Sequence, residues 1–324
     1  MTVLVTGATG LIGANVVAQL LVRGDAVRVL VRPGSDASAL EALGAEVSRG
    51  DIASEADVHR ATEGAEAVIN SAAVLGGVEQ DLAEHLAANH LGSRWCYDAA
   101  AQSGARVVEL TTTPFLRSDV TLTERPEVVD EASIAGDPYA ISKGRAFVEG
   151  RNRAEQGEDI CFVIPGGTFG PSPVVERAMA PTSYNRILRG AIRGKVPSYA
   201  AFPVPWVLAS DVARVVVAAL DGGEPGVAYI AFGTGPAIST ASFLNLACEA
   251  AGVPHRTEDV LIEAGDEAAH ARYGPTIYEM ATRVVPDPFY DDSLTRATFD
   301  VVRTPVADGV AETVSWFEQN GQLP

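Results

Sequence analysis

Positive charge is scarce in this chain. Against 42 Asp and Glu stand only 24 Lys and Arg, a formal balance of −18. A surface that acidic repels nucleic acid and anionic membrane, so neither is expected as a partner. Cysteine is scarcer still. Cys96, Cys161 and Cys248 are scattered without CxxC spacing, which excludes a disulfide framework and fits a reducing compartment. The five histidines (59, 85, 90, 255 and 270) show no metal-ligand spacing, and no metal is expected. No apolar run approaches the roughly eighteen residues of a membrane helix. A strand-like run begins at residue 2, which leaves no room for a signal peptide and points to the cytoplasm. Internal repeats and low-complexity stretches are absent too. What remains is 324 residues, 47% hydrophobic and 20% charged: ample for a core, and the size of two domains or one large one.

Short β-branched runs alternate with helix-length segments through the first 170 residues. The runs are TVLVT (2–6), AVRVLV (26–31), AEVSR (45–49), AEAVIN (65–70), ARVVEL (105–110) and ICFVIP (160–165). Such alternation predicts parallel strands joined by right-handed crossovers, an α/β sheet covered on both faces. The near-continuous apolar strands agree, because they suit burial on both sides. After Gly170 the texture changes, with prolines at 171, 173, 181, 197, 203 and 205 among Tyr184, Tyr199, Phe202 and Trp206. A smaller lobe is expected from there. DVARVVVAAL (211–220) predicts a helix, with Asp211 near its positive end. GVAYIAF (226–232) predicts a strand rejoining the sheet, and residues 304–321 a last amphipathic helix. Residues 114–136 are long for a structureless connection, which hints at a functional element.

Gly7, Gly10 and Gly13 lie between the first strand and its helix, in TGATGLIG. The spacing is GxxGxxG. One glycine permits the tight turn, one lets backbone approach a pyrophosphate, and one lets the helix press on the strand. The helix N-terminus then offers unpaired N–H groups to the phosphates. An NAD-selective site would place an acid at the end of the second strand. Here that position is Val31, followed by Arg32, whose guanidinium suits a 2′-phosphate. NADP is therefore the expected cofactor, with NAD the alternative. Arg32 as a plain surface arginine is the competing reading. Asp51 is placed either to accept from an adenine amino group or to cap a helix near Ser54.

Tyr139 and Lys143, in DPYAISK, are four apart near a helix start, hence on one face. Pro138 sits where a helix tolerates proline. A free phenol titrates near pH 10 and is a poor acid–base group at neutrality; a neighbouring ammonium stabilises its phenolate. Such a pair can give a proton to a carbonyl oxygen, or take one from a hydroxyl, as hydride moves. Upstream, Thr111, Thr112 and Thr113 end the fifth strand at the edge where α/β ligands bind, unless threonine there reflects only strand preference.

The motifs TGATGLIG, VRPGSD, GDI, NSAA, NHLGS, TTTP, DPYAISK, PGGTFGP, SDVARVVVAAL and GVAETVSWFEQNG occur in order along nearly the whole chain. In these the chain resembles the extended short-chain dehydrogenase/reductase family, in its NAD-dependent epimerase/dehydratase branch. Dihydroflavonol-reductase-like and 3β-hydroxysteroid-dehydrogenase-like members are the nearest in kind. The resemblance implies a catalytic triad of Thr113 (with Thr112 the neighbouring alternative), Tyr139 and Lys143. It implies that Asn70, Ser71 and Ala72 line the cofactor and that backbone of Gly166, Gly167 and Thr168 holds its nicotinamide end. The expected cofactor set is Gly7, Thr9, Gly10, Leu11, Ile12, Gly13, Arg32, Asp51, Ile52, Ser71, Ala72, Ala73, Tyr139, Lys143, Pro165, Gly166, Gly167 and Thr168. Asn89 matches the family's helix asparagine. It falls on a stripe with Leu82, Leu86, Ser93 and Cys96 expected to face inward, and a structural tie to the sheet is the favoured role. Relatives of the 4,6-dehydratase kind carry Asp-Glu where this chain has Pro114 and Phe115, so that elimination is discounted. Ile164 stands where an arginine is usual, which leaves the substrate side open. Members often dimerise through two long helices, here about 79–102 and 137–156.

Tyr184, Tyr199, Phe202, Trp206, Tyr273 and Tyr278 either line an apolar pocket or, the larger share, pack the lobe. Arg186, Arg189 and Arg193 share a helical face, with Lys195 beyond. They either grip a nucleotide-sugar diphosphate or form a solvated face, the favoured reading. The expectation is a doubly wound parallel α/β sheet of Rossmann type with a smaller C-terminal substrate lobe. A dinucleotide-binding domain spans 1–171 and a substrate lobe 172–324, with 206–232 rejoining the sheet. The expected activity is NADP-dependent reduction of a ketone or aldehyde with a largely apolar body, or the reverse. The alternatives are a nucleotide-sugar epimerase with tightly bound NAD and a non-catalytic NAD(P)-sensing regulator.

Overall fold

A computed structural model describes residues 1–75, 81–282 and 290–323. The apolar runs of the first half form β1 (Thr2–Thr6), β2 (Ala26–Val31), β3 (Glu46–Arg49), β4 (Ala67–Asn70), β5 (Arg106–Leu110) and β6 (Ile160–Pro165). Between them lie α1 (Leu11–Arg23), α2 (Ser38–Leu43), α3 (Glu55–Thr62), α4 (Leu82–His85), α5 (Gly92–Ser103) and α6 (Pro138–Glu155). The local stops are chemical. Helices α1, α2 and α5 end on Gly24, Gly44 and Gly104 in the left-handed region, where a side chain is strained and glycine is not. Helix α6 starts on Asp137, whose carboxylate accepts the Ala140 N–H, with Pro138 in its first turn.

Beyond β6 come β7 (Gly167–Phe169), α7 (Val175–Ala178), α8 (Tyr184–Ile192), β8 (Ser198–Ala200), β9 (Pro203–Val204), β10 (Trp206–Leu208), α9 (Ala209–Gly222) and β11 (Ala228–Ala231). The remainder forms β12 (Ile238–Ser239), α10 (Thr240–Ala250), β13 (Glu258–Val260), α11 (Glu267–Thr282), α12 (Ser293–Thr298) and α13 (Val306–Gln319). Helix α11 is broken at Gly274, φ 76°.

Seven strands pair in the order β11-β6-β5-β4-β1-β2-β3, every pair parallel. The chain runs outward from β1 to β3, then returns to lay β4 on the other side of β1. That reversal opens a crevice at the carboxyl ends of β1 and β4, the place where open α/β sheets bind ligands. Each face of the sheet has its own apolar layer. One gathers Val5, Val16, Leu20, Val29, Val163 and Val216; the other gathers Leu4, Val68, Tyr97, Phe147, Phe162 and Ile230. A third cluster fills the lobe, where the Trp206 ring stacks on Phe243 with centroids 3.8 Å apart.

The inward stripe 82-86-89-93-96 needs one correction. Asn89, Ser93 and Cys96 are buried, but Leu82 is 39% exposed and His85 is buried in its place. Residues Leu86–Leu91 form a π-turn between α4 and α5. The wider turn inserts a residue into the helical repeat and rotates everything before it. Residues 79 and 80, the start of the expected helix 79–102, lie outside the described residues.

Candidate active site

The glycine turn is fixed by contact with its neighbours. Gly7 has φ +64°, and a Cβ there would lie 2.5 Å from the Ser71 carbonyl group. At Gly13 a Cβ would lie 2.4 Å from the Gly7 oxygen. The turn therefore packs directly on the segment after β4 and on the first turn of α1. Gly10 precedes α1 with no side-chain cap and no acid in the first turn, which leaves that helix end open to an anion. Thr9, Leu11 and Ile12 are half-buried around it. A dinucleotide pyrophosphate fits such a cradle.

Arg32 leaves β2 exposed, one residue after Val31. Sequence reasoning missed its companion. Arg49 ends β3 in register with Val31, and its guanidinium donates to the Ser35 carbonyl at 2.6 Å. Two arginines thus stand at the carboxyl ends of the neighbouring strands β2 and β3. Asp51 does not cap α3: its Oδ1 accepts the Ala53 N–H at 2.9 Å, and Ser54 is the cap residue. Ile52 lies against Gly92, where a Cβ would meet its Cγ1 at 2.7 Å. Ser71 and Ala72 are half-buried and Ala73 exposed. The Ala72 N–H points to Thr6 Oγ1 and Asn70 Oδ1 at 3.3 and 3.4 Å.

Tyr139 is half-buried and Lys143 buried, one turn apart on α6. The ammonium of Lys143 reaches across to β5, donating to the Leu110 carbonyl at 2.6 Å and to Glu109 Oε1 at 3.1 Å. It therefore stands at the strand end that leads into Thr111, Thr112 and Thr113. Thr112 and Thr113 are half-buried, and the Thr113 carbonyl accepts the Leu116 N–H. Among the described residues the buried Thr111 hydroxyl has no hydrogen-bond partner, a rare state for a polar group. Asn89 bonds to α6 and to the segment after β4, not to a strand of the sheet. Its amide exchanges hydrogen bonds with the backbone of Val74 at 2.7 and 2.9 Å and donates to Ser142 Oγ at 3.0 Å, tying the π-turn to α6.

The PGGTFGP segment is held as tightly. A Cβ on Gly166 would lie 1.9 Å from the Pro205 oxygen, and one on Gly167 2.5 Å from Val204. Pro165 ends β6, and Thr168 Oγ1 donates to the Gly166 carbonyl at 3.0 Å. Buried Asn185 brackets Gly170 on both backbone groups, at 2.9 and 2.8 Å. Asn15 of α1 donates to the Pro171 carbonyl at 3.0 Å. Neither asparagine carries a local signal in the sequence, because Asn15 acts on backbone 156 residues away and Asn185 on a turn 15 residues before it.

The lobe closes on this region from two sides. Thr276, just after the break in α11, donates to Asp137 Oδ1 at 2.9 Å, at the very start of α6. Burial, with the Tyr139 phenol nearby, pushes the Tyr184 phenol up to about 12. The Tyr184 ring meets Trp206 edge-on. Trp206 and Phe202 are themselves buried in the lobe core, and Tyr199 packs on Tyr273. The arginine face of α8 is partly spent. Arg189 and Arg193 donate to the Gln322 side chain and carbonyl at 2.5 and 2.6 Å. Two grooves of about 500 and 530 Å³ lie on the outer flank of α5 and α6, and neither is lined by Tyr139 or Lys143. Among the described residues no group of three His, Cys, Asp or Glu gathers for a metal, and no helix is long and apolar enough to cross a membrane.

A doubly wound parallel sheet with a glycine turn at its switch point and a Tyr–Lys pair at its edge defines an NAD(P)-dependent enzyme of the extended short-chain dehydrogenase/reductase type. The chain belongs to the NAD dependent epimerase/dehydratase family, whose profile matches residues 3–232. It is 27% identical to sterol demethylase protein B of Methylococcus capsulatus, over the full length of both chains. It is 28% identical to a putative dihydroflavonol 4-reductase of Synechocystis, over 64% of this chain and 60% of that one. Among solved structures, that of gox2253 matches with TM-score 0.83 and 26% identity, covering 100% of this chain and 99% of the other. A nucleoside-diphosphate-sugar epimerase from Pseudomonas aeruginosa matches in fold, with TM-score 0.79, 20% identity and coverage of 100% and 99%.

Proposed function

We propose that this protein is an NADP-dependent oxidoreductase that reduces a ketone or aldehyde with a largely apolar body, or oxidises the matching alcohol. The placement of the Lys143 ammonium at the carboxyl end of β5, one turn along α6 from Tyr139, carries this reading. The bound nicotinamide dinucleotide supplies the hydride donor or acceptor. Gly7, Gly10 and Gly13 hold its pyrophosphate, and Pro165 to Thr168 meet its nicotinamide end. Asp51, Ile52, Ser71, Ala72 and Ala73 line the length between. Arg32, with Arg49 beside it, takes the 2′-phosphate through charge-assisted hydrogen bonds.

Tyr139 hands its phenolic proton to the carbonyl oxygen in reduction and takes one from the hydroxyl in oxidation. Lys143 spends two of its three N–H groups on Glu109 and the Leu110 carbonyl, leaving one for the phenol or the ribose. Thr113 orients the reacting oxygen. Residues 1–171 serve the cofactor, and 172–324 shape the substrate side. The relatives support an apolar carbonyl substrate: they include a 3-beta-hydroxysteroid dehydrogenase of Mycolicibacterium neoaurum and a farnesyl-dihydroquinoline-oxide ketoreductase of Stigmatella aurantiaca. The epimerase reading loses support because Arg189 and Arg193 are engaged with Gln322. Epimerases of that kind would purify with NAD attached; this protein should purify free of it.

Tyr139→Phe tests the assignment. The variant should bind NADP within about twofold of the parent and lose turnover by roughly a thousandfold or more, in keeping with removal of a general acid. Near-parent turnover on a carbonyl panel would remove Tyr139 as the proton donor.

A further inference from the structure

A carboxylate inside an apolar sheet strand is costly unless it is paired and hydrogen-bonded. Glu109 sits in β5 between Val108 and Leu110 and is 1% exposed. Its Oε1 accepts from Lys143 Nζ at 3.1 Å and from Ser93 Oγ at 3.0 Å. Its Oε2 accepts from Asn70 Nδ2 at 2.6 Å. Asn70 Oδ1 in turn accepts from Thr6 Oγ1 at 2.5 Å, and Thr6 is the last residue before the glycine turn. Thr6, Asn70, Ser93, Glu109 and Lys143 are all at most 3% exposed. One continuous chain of buried polar groups therefore runs from the glycine turn across three strands to the ammonium of Lys143, one helical turn from Tyr139.

Packing alone gives no reason for this pair, since neutral residues of similar volume serve a core at least as well. An ammonium on a flexible stem, by contrast, has to be aimed. Glu109 and the Leu110 carbonyl fix two of its donors, and so direct the third. A misplacement of about 1 Å at such a group can cost a hundredfold in rate. We propose that Glu109 is a positioning residue for the reaction: its carboxylate holds Lys143 in the orientation that serves Tyr139, and the Asn70–Thr6 link registers that orientation against the cofactor turn. The inference rests on the reading of Tyr139 and Lys143 as the catalytic pair.

The test is a double-mutant cycle on the full chain, read as NADPH oxidation with a panel of aromatic and alicyclic ketones that includes phenanthrenequinone. Glu109→Gln should lower kcat by about 10- to 100-fold and leave the ketone KM within about threefold. In a Lys143→Met background the same change should alter kcat by less than about threefold, because the group it acts through is gone. Equal losses in both backgrounds would mean a structural role and overturn the proposal. So would unchanged kcat in folded Glu109→Gln. If that variant does not fold, Ser93→Ala replaces it in the same cycle, with a smaller loss of about threefold to tenfold in the parent and none beside Lys143→Met; equal losses there overturn the proposal as well. The underlying reading fails separately: Tyr139→Phe and Lys143→Met would then both retain turnover, whatever Glu109→Gln does.

Discussion

Glu149 offers the sharpest stability test, because its surroundings set both the size and the pH window of the effect. It lies on α6, 19% exposed, and faces α5. Arg94 grips its two oxygens at 2.8 and 2.9 Å, and His90 Nε2 lies 2.9 Å from Oε2. Burial favours the neutral carboxyl, but the bonds from His90 and Arg94 outweigh it and hold the group down to about 2, against 4.5 for a free glutamate. A depression of that size corresponds to about 3 kcal/mol of differential stability. Arg94 is 39% exposed, so solvent screening reduces the figure to about 2 kcal/mol.

The sign follows from which state binds the proton more tightly. The folded carboxyl resists protonation more than the unfolded one, so the contribution is fully present above about pH 4.5. It is lost as pH falls through the folded value near 2. The measurement is urea unfolding of the parent and of Glu149→Gln at about pH 7, 5, 4 and 3. Taking the difference between the two proteins cancels the other titrating groups. At about pH 7 the variant should be less stable by about 2 kcal/mol, and the gap should narrow steadily below about pH 4.5. A gap that is equal at pH 7 and pH 3, or one below about 0.5 kcal/mol throughout, would refute the reasoning.

Two further outcomes follow from the site. Gly166→Ala places a methyl 1.9 Å from the Pro205 carbonyl oxygen, a backbone atom that cannot swing aside, so urea unfolding should show a loss of about 3 kcal/mol; parent-like stability would mean that the β6–β7 bend is looser than its contacts imply. Arg32→Ala and Arg49→Ala should each weaken NADP binding about tenfold, or about 1.4 kcal/mol, and leave NAD binding alone; a fluorescence titration in which both cofactors weaken equally, or neither does, would remove these arginines from the 2′-phosphate.

The sheet was legible because its physics is local. A strand buried on both faces is apolar along most of its length, and all six runs became strands with at most two residues trimmed from an end, the half-exposed edge strand β3 being the least apolar. The glycine turn and the Tyr139–Lys143 spacing were legible for the same reason, since each needs only its own few residues. What escaped the sequence depends on register between distant elements. Glu109 meets Lys143 only because α6 crosses the end of β5, and no periodicity encodes that meeting. Its one local signal was an acid inside ARVVEL, a charge that a two-sided strand carries only if something across the fold answers it. The same argument applies to the arginines of α8. Their shared face was readable at helical spacing, but their partner Gln322 lies well over a hundred residues away, so sequence left two readings open. The π-turn at Leu86–Leu91 is the converse case. There a local rule was applied where the backbone departs from it. The buried Asn89 amide makes its three hydrogen bonds from within that wider turn, and Leu82 before it faces outward. A polar residue on an inward stripe is therefore a reason to doubt the helical repeat before it as much as to expect burial.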